Sequence, residues 1–180
     1  MNDPVLTHVA GLKAVSHPLR VRMLAALRSD GPATASELAR RFDTDTGSTS
    51  YHLRTLAKYG FVAPADDQRD RRERRWKATR ASTDWDGAAM AATAEGREAV
   101  ALISRQQVAA LMRAMEGYEA APDPAWARAA GMSDLVARLT PASLEAVVSR
   151  LEEHVAERAA TDAADPDARP VHLFAGGFPT

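Results

Sequence analysis

Through the first eighty residues, apolar positions recur in short bursts at helical spacing, and then the rhythm changes. Leu6, Val9, Ala10, Leu12 and Val15 suit a helix over residues 5–16. It must stop before Pro18, because a residue that precedes proline avoids helical geometry. A second helix starts at Pro18, where proline suits the first turn, and Leu19, Val21, Met23, Leu24, Ala26 and Leu27 give it a broad core face. Ser29-Asp30-Gly31-Pro32 closes it. Thr34-Ala35-Ser36-Glu37 then has the spacing of a capping box, ahead of the inward positions Leu38, Ala39 and Phe42. A fourth helix follows Thr46. Its expected inner face is Tyr51, Leu53, Leu56 and Ala57, and its expected polar face is Ser48, Thr49, Ser50, His52, Arg54, Thr55 and Lys58.

Residues 43–47 leave room only for a sharp turn between the third and fourth helices. Two helices joined so tightly, the second with a polar outer face, predict a helix-turn-helix. Gly60 suits a left-handed cap, and Phe61-Val62-Ala63 leads into a strand. Residues 64–72 read as a hairpin tip and 73–79 as the returning strand. On that strand Trp76 and Ala78 share one face and Arg75 and Lys77 the other, so Trp76 is expected to anchor the core.

Beyond a linker at residues 81–92, the longest helix is predicted over 94–118. Val100, Ile103, Leu111, Ala114 and Tyr118 line one side, and Leu102, Val108, Met112 and Met115 widen the stripe. A stripe this wide exceeds what one small neighbouring domain covers, so self-association is expected through Val100, Ile103, Leu111, Met115 and Tyr118. Extended segments are expected at residues 126–130 and 134–139. A helix starting at Thr140-Pro141 carries Leu144, Val147, Val148, Leu151 and Val155, residues 161–170 read as a loop, and a last strand is expected at 171–175. The fold class expected is α+β and mainly helical. A winged helix-turn-helix occupies residues 1–82, and residues 83–180 supply a long dimerisation helix, a small C-terminal α/β segment and a place for effector sensing.

Composition narrows the chemistry. The chain has no cysteine, which excludes disulfides, thiolate metal sites and thiol redox sensing. No apolar run approaches the length of a membrane span and the N-terminus lacks the pattern of a signal peptide, so a cytoplasmic protein without membrane contact is expected. The net charge of −1 conceals an asymmetry: up to Arg80 there are 15 Lys and Arg against 9 Asp and Glu, and from Ala81 onward 8 against 15. A basic front half followed by an acidic back half points to a polyanion-binding module joined to a part that does not touch the polyanion. There is no Gly-rich phosphate loop, no Gly-x-Ser-x-Gly elbow and no thiol nucleophile, so the chain is not expected to be an enzyme. His154, with Glu153 and Glu157, has the spacing of a ligand pair on a helix, but a single histidine on a charged helix is ordinarily solvated; neither metal nor cofactor is expected.

On the fourth helix, short hydroxyls would let the N-terminal end approach phosphates and base edges, and a guanidinium one turn later can fork onto a guanine. The run LKAVSHPLRVRMLAAL, then Ala35-Ser36-Glu37-Leu38-Ala39, Ser50-Tyr51-His52-Leu53-Arg54-Thr55-Leu56, Gly60-Phe61-Val62 and the arginine-rich hairpin resemble the ArsR-type winged-helix transcription regulators over residues 5–80. The resemblance implies a homodimer on double-stranded operator DNA, with a recognition helix in the major groove and a wing along the adjacent backbone or minor groove. The matching positions are Ser48, Thr49, Ser50, His52, Arg54 and Thr55 on the helix, extended by Lys58 one turn on. In the wing they are Gln68, Arg69, Arg71, Arg72 and Arg74. The chain departs from the family in lacking its thiolate metal motif on the third helix and any histidine on the long helix. If the Met-containing long helix and the C-terminal strands enclose an apolar pocket, a small organic effector could bind there and tilt the two reading heads apart. The expected function is a sequence-specific DNA-binding regulator that represses; the alternative is a winged helix serving as a protein- or RNA-binding adaptor without operator specificity.

Overall fold

The structure, a computed structural model, describes residues 9–66 and 74–179. Its helices are α1 (Val9–Val15), α2 (Pro18–Ser29), α3 (Ala35–Phe42), α4 (Thr46–Lys58), α5 (Gly87–Ala91), α6 (Ala94–Ala120) and α7 (Pro141–Asp162). Strands β1 (Ala33–Thr34), β2 (Val62–Pro64) and β3 (Arg75–Ala78) form one antiparallel sheet in the order β1-β3-β2. The chain divides into two compact units, Met1–Val108 and Ala109–Thr180.

The first unit is built around one apolar cluster. Leu12 and Val15 of α1, Met23, Leu24 and Leu27 of α2, Leu38 of α3, and Leu53 and Leu56 of α4 meet Phe61, just ahead of the sheet, and Val62 and Trp76 within it. Local chemistry starts α2 and α3 where the sequence predicts. His17 caps α2 by accepting from the Leu19 N–H at 3.2 Å, with Pro18 in the first turn. The capping box closes at α3: Thr34 Oγ1 accepts from the Glu37 N–H at 3.1 Å, and the Glu37 carboxylate accepts from the Thr34 N–H at 2.7 Å. The Thr34 N–H above all, then the Thr34 hydroxyl and the nearby Arg75 and Arg40 charges, hold the Glu37 carboxyl below its ordinary range against the opposing effect of burial. Gly60, at φ +77°, gives the chain the left-handed residue it needs to leave α4 for β2.

The sheet has one strand more than the hairpin expectation. β1 is only two residues long, too short for an alternation to register, but its pairing of Ala33 with Trp76 and Thr34 with Arg75 ties the wing stem to the start of α3. On the other edge, Val62 pairs with Ala78 and Pro64 with Trp76. Trp76 is buried at 7% exposure, as its alternation requires.

The core of the first unit also reaches past residue 82. Met90, Ala99 and Ile103 are buried in it, and Gly96 is where α6 crosses α5: a Cβ there would meet the Met90 carbonyl oxygen. Helix α5 lies inside the segment expected as a linker. Its start is fixed by Asp86, whose side chain accepts from the Ala89 N–H at 2.9 Å. Arg28 holds the chain ahead of it, donating to the Arg80 carbonyl at 2.9 Å, to Thr83 Oγ1 at 2.8 Å and to the Ser82 carbonyl. Burial lowers the pKa of Arg28 to about 10, which leaves it charged at neutral pH.

In the second unit the α/β expectation is not met. Residues 124–126 form a 3-10 turn capped by Asp123, and residues 134–139 and 171–175 form no strand. The apolar runs there are real, with Leu135 at 89% and Val136 at 91% exposure, but no neighbouring strand supplies the hydrogen-bond partners that would make them a sheet. The α+β class rests on the wing sheet alone. Among the described residues of this unit no side chain is buried, α7 included. No helix among the described residues is long and apolar enough to cross a membrane.

Candidate nucleic-acid interface

The turn between α3 and α4 is made by two aspartates. Asp43 takes a left-handed conformation at φ +50°, which a short polar side chain tolerates, and the Thr44 N–H closes on the Ala39 carbonyl at 3.0 Å. Asp45 then caps α4 by accepting from the Ser48 N–H at 2.7 Å. The first free donors of α4 are thus partly committed to a carboxylate rather than left for a phosphate.

The face that α4 turns inward is Thr49, His52, Leu53 and Leu56, at i, i+3, i+4 and i+7. The opposite face carries Gly47, Tyr51, Arg54 and Lys58, all exposed and spaced at i, i+4, i+7 and i+11. This corrects three assignments. Thr49 is fully buried and its hydroxyl donates to the Asp45 carbonyl at 3.0 Å, so it is a packing residue of the turn. His52 is 8% exposed and stacked against other side chains. Tyr51, read as an inward residue, is 59% exposed. The error has a simple origin: ranking by polarity sends Thr and His outward and Tyr inward, whereas stepping 100° per residue from Leu53 and Leu56 does the reverse.

The remaining helix positions keep their expected side. Arg54 and Lys58 are exposed, and Ser48, Ser50 and Thr55 are half-buried. The Thr55 hydroxyl donates back to the Tyr51 carbonyl at 3.0 Å, leaving its methyl and the acceptor lone pairs of its oxygen for a ligand. In the wing, Gln68, Arg69, Arg71 and Arg72 lie outside the described residues. Arg74 is exposed at the stem, its guanidinium 5.4 Å from the centroid of the Trp76 ring. Lys77 on β3 is paired with Asp66 at 2.5 Å, one of the acids interspersed among the wing cations.

Beneath α4 lies a polar cluster that the sequence did not group. The His17 and His52 rings have centroids 4.5 Å apart and are tilted by 36°. Arg20 Nη1 approaches His52 Nδ1 at 3.3 Å, its Nη2 donates to the Lys13 carbonyl at 3.3 Å, and its Nε donates to the Ala14 carbonyl. Burial lowers the pKa of both histidines; Arg20 lowers each further, and His17 also lowers that of His52 while Asp45 opposes. The lowering favours the neutral rings; His17 Nδ1 accepts the Leu19 N–H, and His52 Nδ1 faces the Arg20 guanidinium. The cluster fastens the start of α2 to the middle of α4.

The residues expected to form a dimer face divide. Ile103 is buried and Val100 half-buried against the first unit's core, so the monomer already covers them. Leu111, Met115 and Tyr118 are half-buried, the Tyr118 hydroxyl donating to the Asp123 carbonyl at 3.3 Å. Leu102, Val108 and Met112 of α6, and Val147 and Leu151 of α7, stand exposed. His154 lies 3.9 Å from Glu157, and both are solvated.

Comparison with known proteins gives a family-level match at this site. Residues 15–64 match the model of a helix-turn-helix domain, the segment from the end of α1 to β2. No curated protein matches the chain. Among solved structures it is similar to HlyU from Vibrio cholerae N16961, at 23% identity over 41% of this chain and 76% of that one, with a TM-score of 0.36. It is also similar to NMB1585, a MarR family regulator from Neisseria meningitidis, at 18% identity over 82% of this chain and 79% of that one, with a TM-score of 0.33. The chain therefore carries a helix-turn-helix domain, in which α4 follows α3 across the turn.

Proposed function

We propose that this protein is a sequence-specific DNA-binding transcription regulator that acts as a homodimer and represses by occupying its operator. The observation that carries this reading is the exposed stripe of α4. A helix locked from behind by Thr49, Leu53 and Leu56 offers Arg54 and Lys58 on its free side, with Tyr51 between them and the glycine end. Rigid support behind and donors in front are what a helix needs to read base edges. The basic excess before Arg80 and the arginines of residues 69–74 supply the phosphate-binding charge. The ArsR resemblance in the sequence agrees with this reading.

The dimer is supported by the second unit's lack of a core. A 22-residue helix with no buried residue and with Val147 and Leu151 exposed gains stability when a second copy covers it. Two copies related by a twofold axis would present their α4 helices to successive major grooves, about 34 Å apart. Replacing Val147 and Leu151 by glutamate should yield a monomer by analytical ultracentrifugation, and an unchanged dimer would move the interface elsewhere. A small organic effector remains the proposed signal.

The test of function is selection of bound fragments from the source genome, followed by titration of the best duplex and a scrambled one at two salt concentrations. A regulator binds the selected duplex at least about a thousandfold more tightly. Equal affinity for both would favour a nonspecific or adaptor role.

A further inference from the structure

The exposed stripe of α4 contains one residue that neither phosphate binding nor helix stability explains. Tyr51 is 59% exposed in the middle of the face, between Gly47 and Arg54. Its ring is not loose: it stands edge-on to the buried His52 ring, with centroids 5.4 Å apart at 66°, and His52 is itself stacked on His17. Among the described residues its hydroxyl has no hydrogen-bond partner. An aromatic ring held outward on a rigid base presents a fixed apolar surface, and in the major groove of DNA the apolar group that a base edge offers is the 5-methyl of thymine.

We infer that Tyr51 is a specificity-determining residue that packs its ring on a thymine methyl beside the base pair contacted by Arg54. This rests on the reading of α4 as a recognition helix. Tyr51 and Arg54 are three residues apart, which is about 4.5 Å along the helix axis. Consecutive base pairs are spaced about 3.4 Å apart. The two side chains therefore address neighbouring positions, Arg54 through the acceptor pair of a guanine and Tyr51 through the methyl of an adjacent or next-nearest thymine. The half-buried Ser50 and the backbone-bonded Thr55 flank this pair without competing for the methyl.

The experiment uses the full chain and the duplex recovered by genomic selection, with each thymine of one half-site replaced in turn by deoxyuridine. At one thymine near a guanine, the wild type should lose about fourfold in affinity, the equivalent of burying one methyl group. Tyr51→Phe should keep that sensitivity and Tyr51→Ala should lose it, while both variants keep the unfolding midpoint of the wild type. The same methyl is present on 5-methylcytosine, so a C·G pair at that position is tested with and without it; the methylated form should bind more tightly to the wild type and equally to Tyr51→Ala. Uracil substitutions without effect, or an effect that persists in Tyr51→Ala, would overturn the inference. If Phe loses as much affinity as Ala on every duplex, the hydroxyl is a phosphate contact and the methyl reading is again wrong. Should no duplex be selected at all, it is the regulator reading that falls, and this inference with it.

Discussion

Replacing Thr49 by alanine separates what supports α4 from what is proposed to read DNA. Thr49 is fully buried, and its hydroxyl donates to the Asp45 carbonyl at 3.0 Å. That carbonyl also receives the Thr49 backbone N–H at 3.1 Å, so the substitution leaves no acceptor orphaned. The loss is then one hydrogen bond, about 1 kcal/mol net, and one buried methyl, about 0.8 kcal/mol, with a small cavity term on top. Alanine recovers up to about 0.7 kcal/mol through its higher helix propensity. The balance is a destabilisation of about 1–2 kcal/mol, within the range of partial core truncations. Each kcal/mol lowers Tm by about 2–4 °C for a chain of this size. Denaturant titration followed by circular dichroism measures the first quantity. Duplex binding by fluorescence anisotropy, well below the transition, should be unchanged within about twofold for Thr49→Ala. Arg54→Ala should do the opposite: stability within about 0.5 kcal/mol of wild type, and specific affinity weaker by about 1–3 kcal/mol. A variant at Thr49 that unfolds like the wild type but binds tenfold more weakly would refute the assignment of this residue to the packing face.

Acidification should destabilise the first unit through His17 and His52. Both have folded pKa values below the ordinary 6.5, so the unfolded chain takes up protons that the folded one refuses; their stabilisation is complete above pH 6.5 and is lost as pH falls through the lower folded values. Tm measured from pH 7.5 to 5.5 should fall less steeply in the double variant His17→Asn with His52→Gln, and an unchanged slope would show that other groups carry it. Thr34→Ala opens the capping box of α3 and should cost about 1 kcal/mol in denaturant unfolding; a midpoint equal to that of the wild type would mean the box adds nothing. Removing Arg71 and Arg72 together should lower DNA affinity and reduce the slope of log K against log salt by up to about 2, and an unchanged slope would remove these residues from the phosphate contacts.

The elements that sequence reading locates well are those whose boundaries are set by chemistry within a few residues. Pro18, Thr34 with Glu37, Gly60 and Thr140 with Pro141 each mark a helix end in the structure within a residue of the expected place. The turn carried by Asp43 and Asp45 was visible only as a gap too short for anything else. Which acid took the left-handed residue and which became the cap depends on backbone geometry that composition does not encode. Strand β1 and helix α5 were missed because they are two and five residues long, below the length at which any periodicity can be counted. The C-terminal strands failed for the converse reason. A short apolar run signals a need for burial, and only a partner strand turns that need into a sheet.

The functional face of α4 shows the same limit at the scale of single side chains. Hydrophobicity assigned Thr49 and His52 outward because polar residues are usually exposed, yet both are satisfied inside: Thr49 by the Asp45 carbonyl, His52 by Arg20 and the His17 ring. A polar residue can move inward when a local acceptor or donor removes the cost of leaving water. The position it vacates must then be taken by a neighbour on the wheel, here Tyr51. The satisfied interior of α4 and its one exposed aromatic are thus two sides of a single geometric choice. A substitution that unsatisfies His52, such as Arg20→Ala, should reach the proposed DNA-reading face through the Tyr51 ring it supports. The signature to look for is altered preference among bases beside the contact proposed for Arg54, with affinity for random duplex unchanged; an equal change on both duplexes would show that the coupling does not extend to Tyr51.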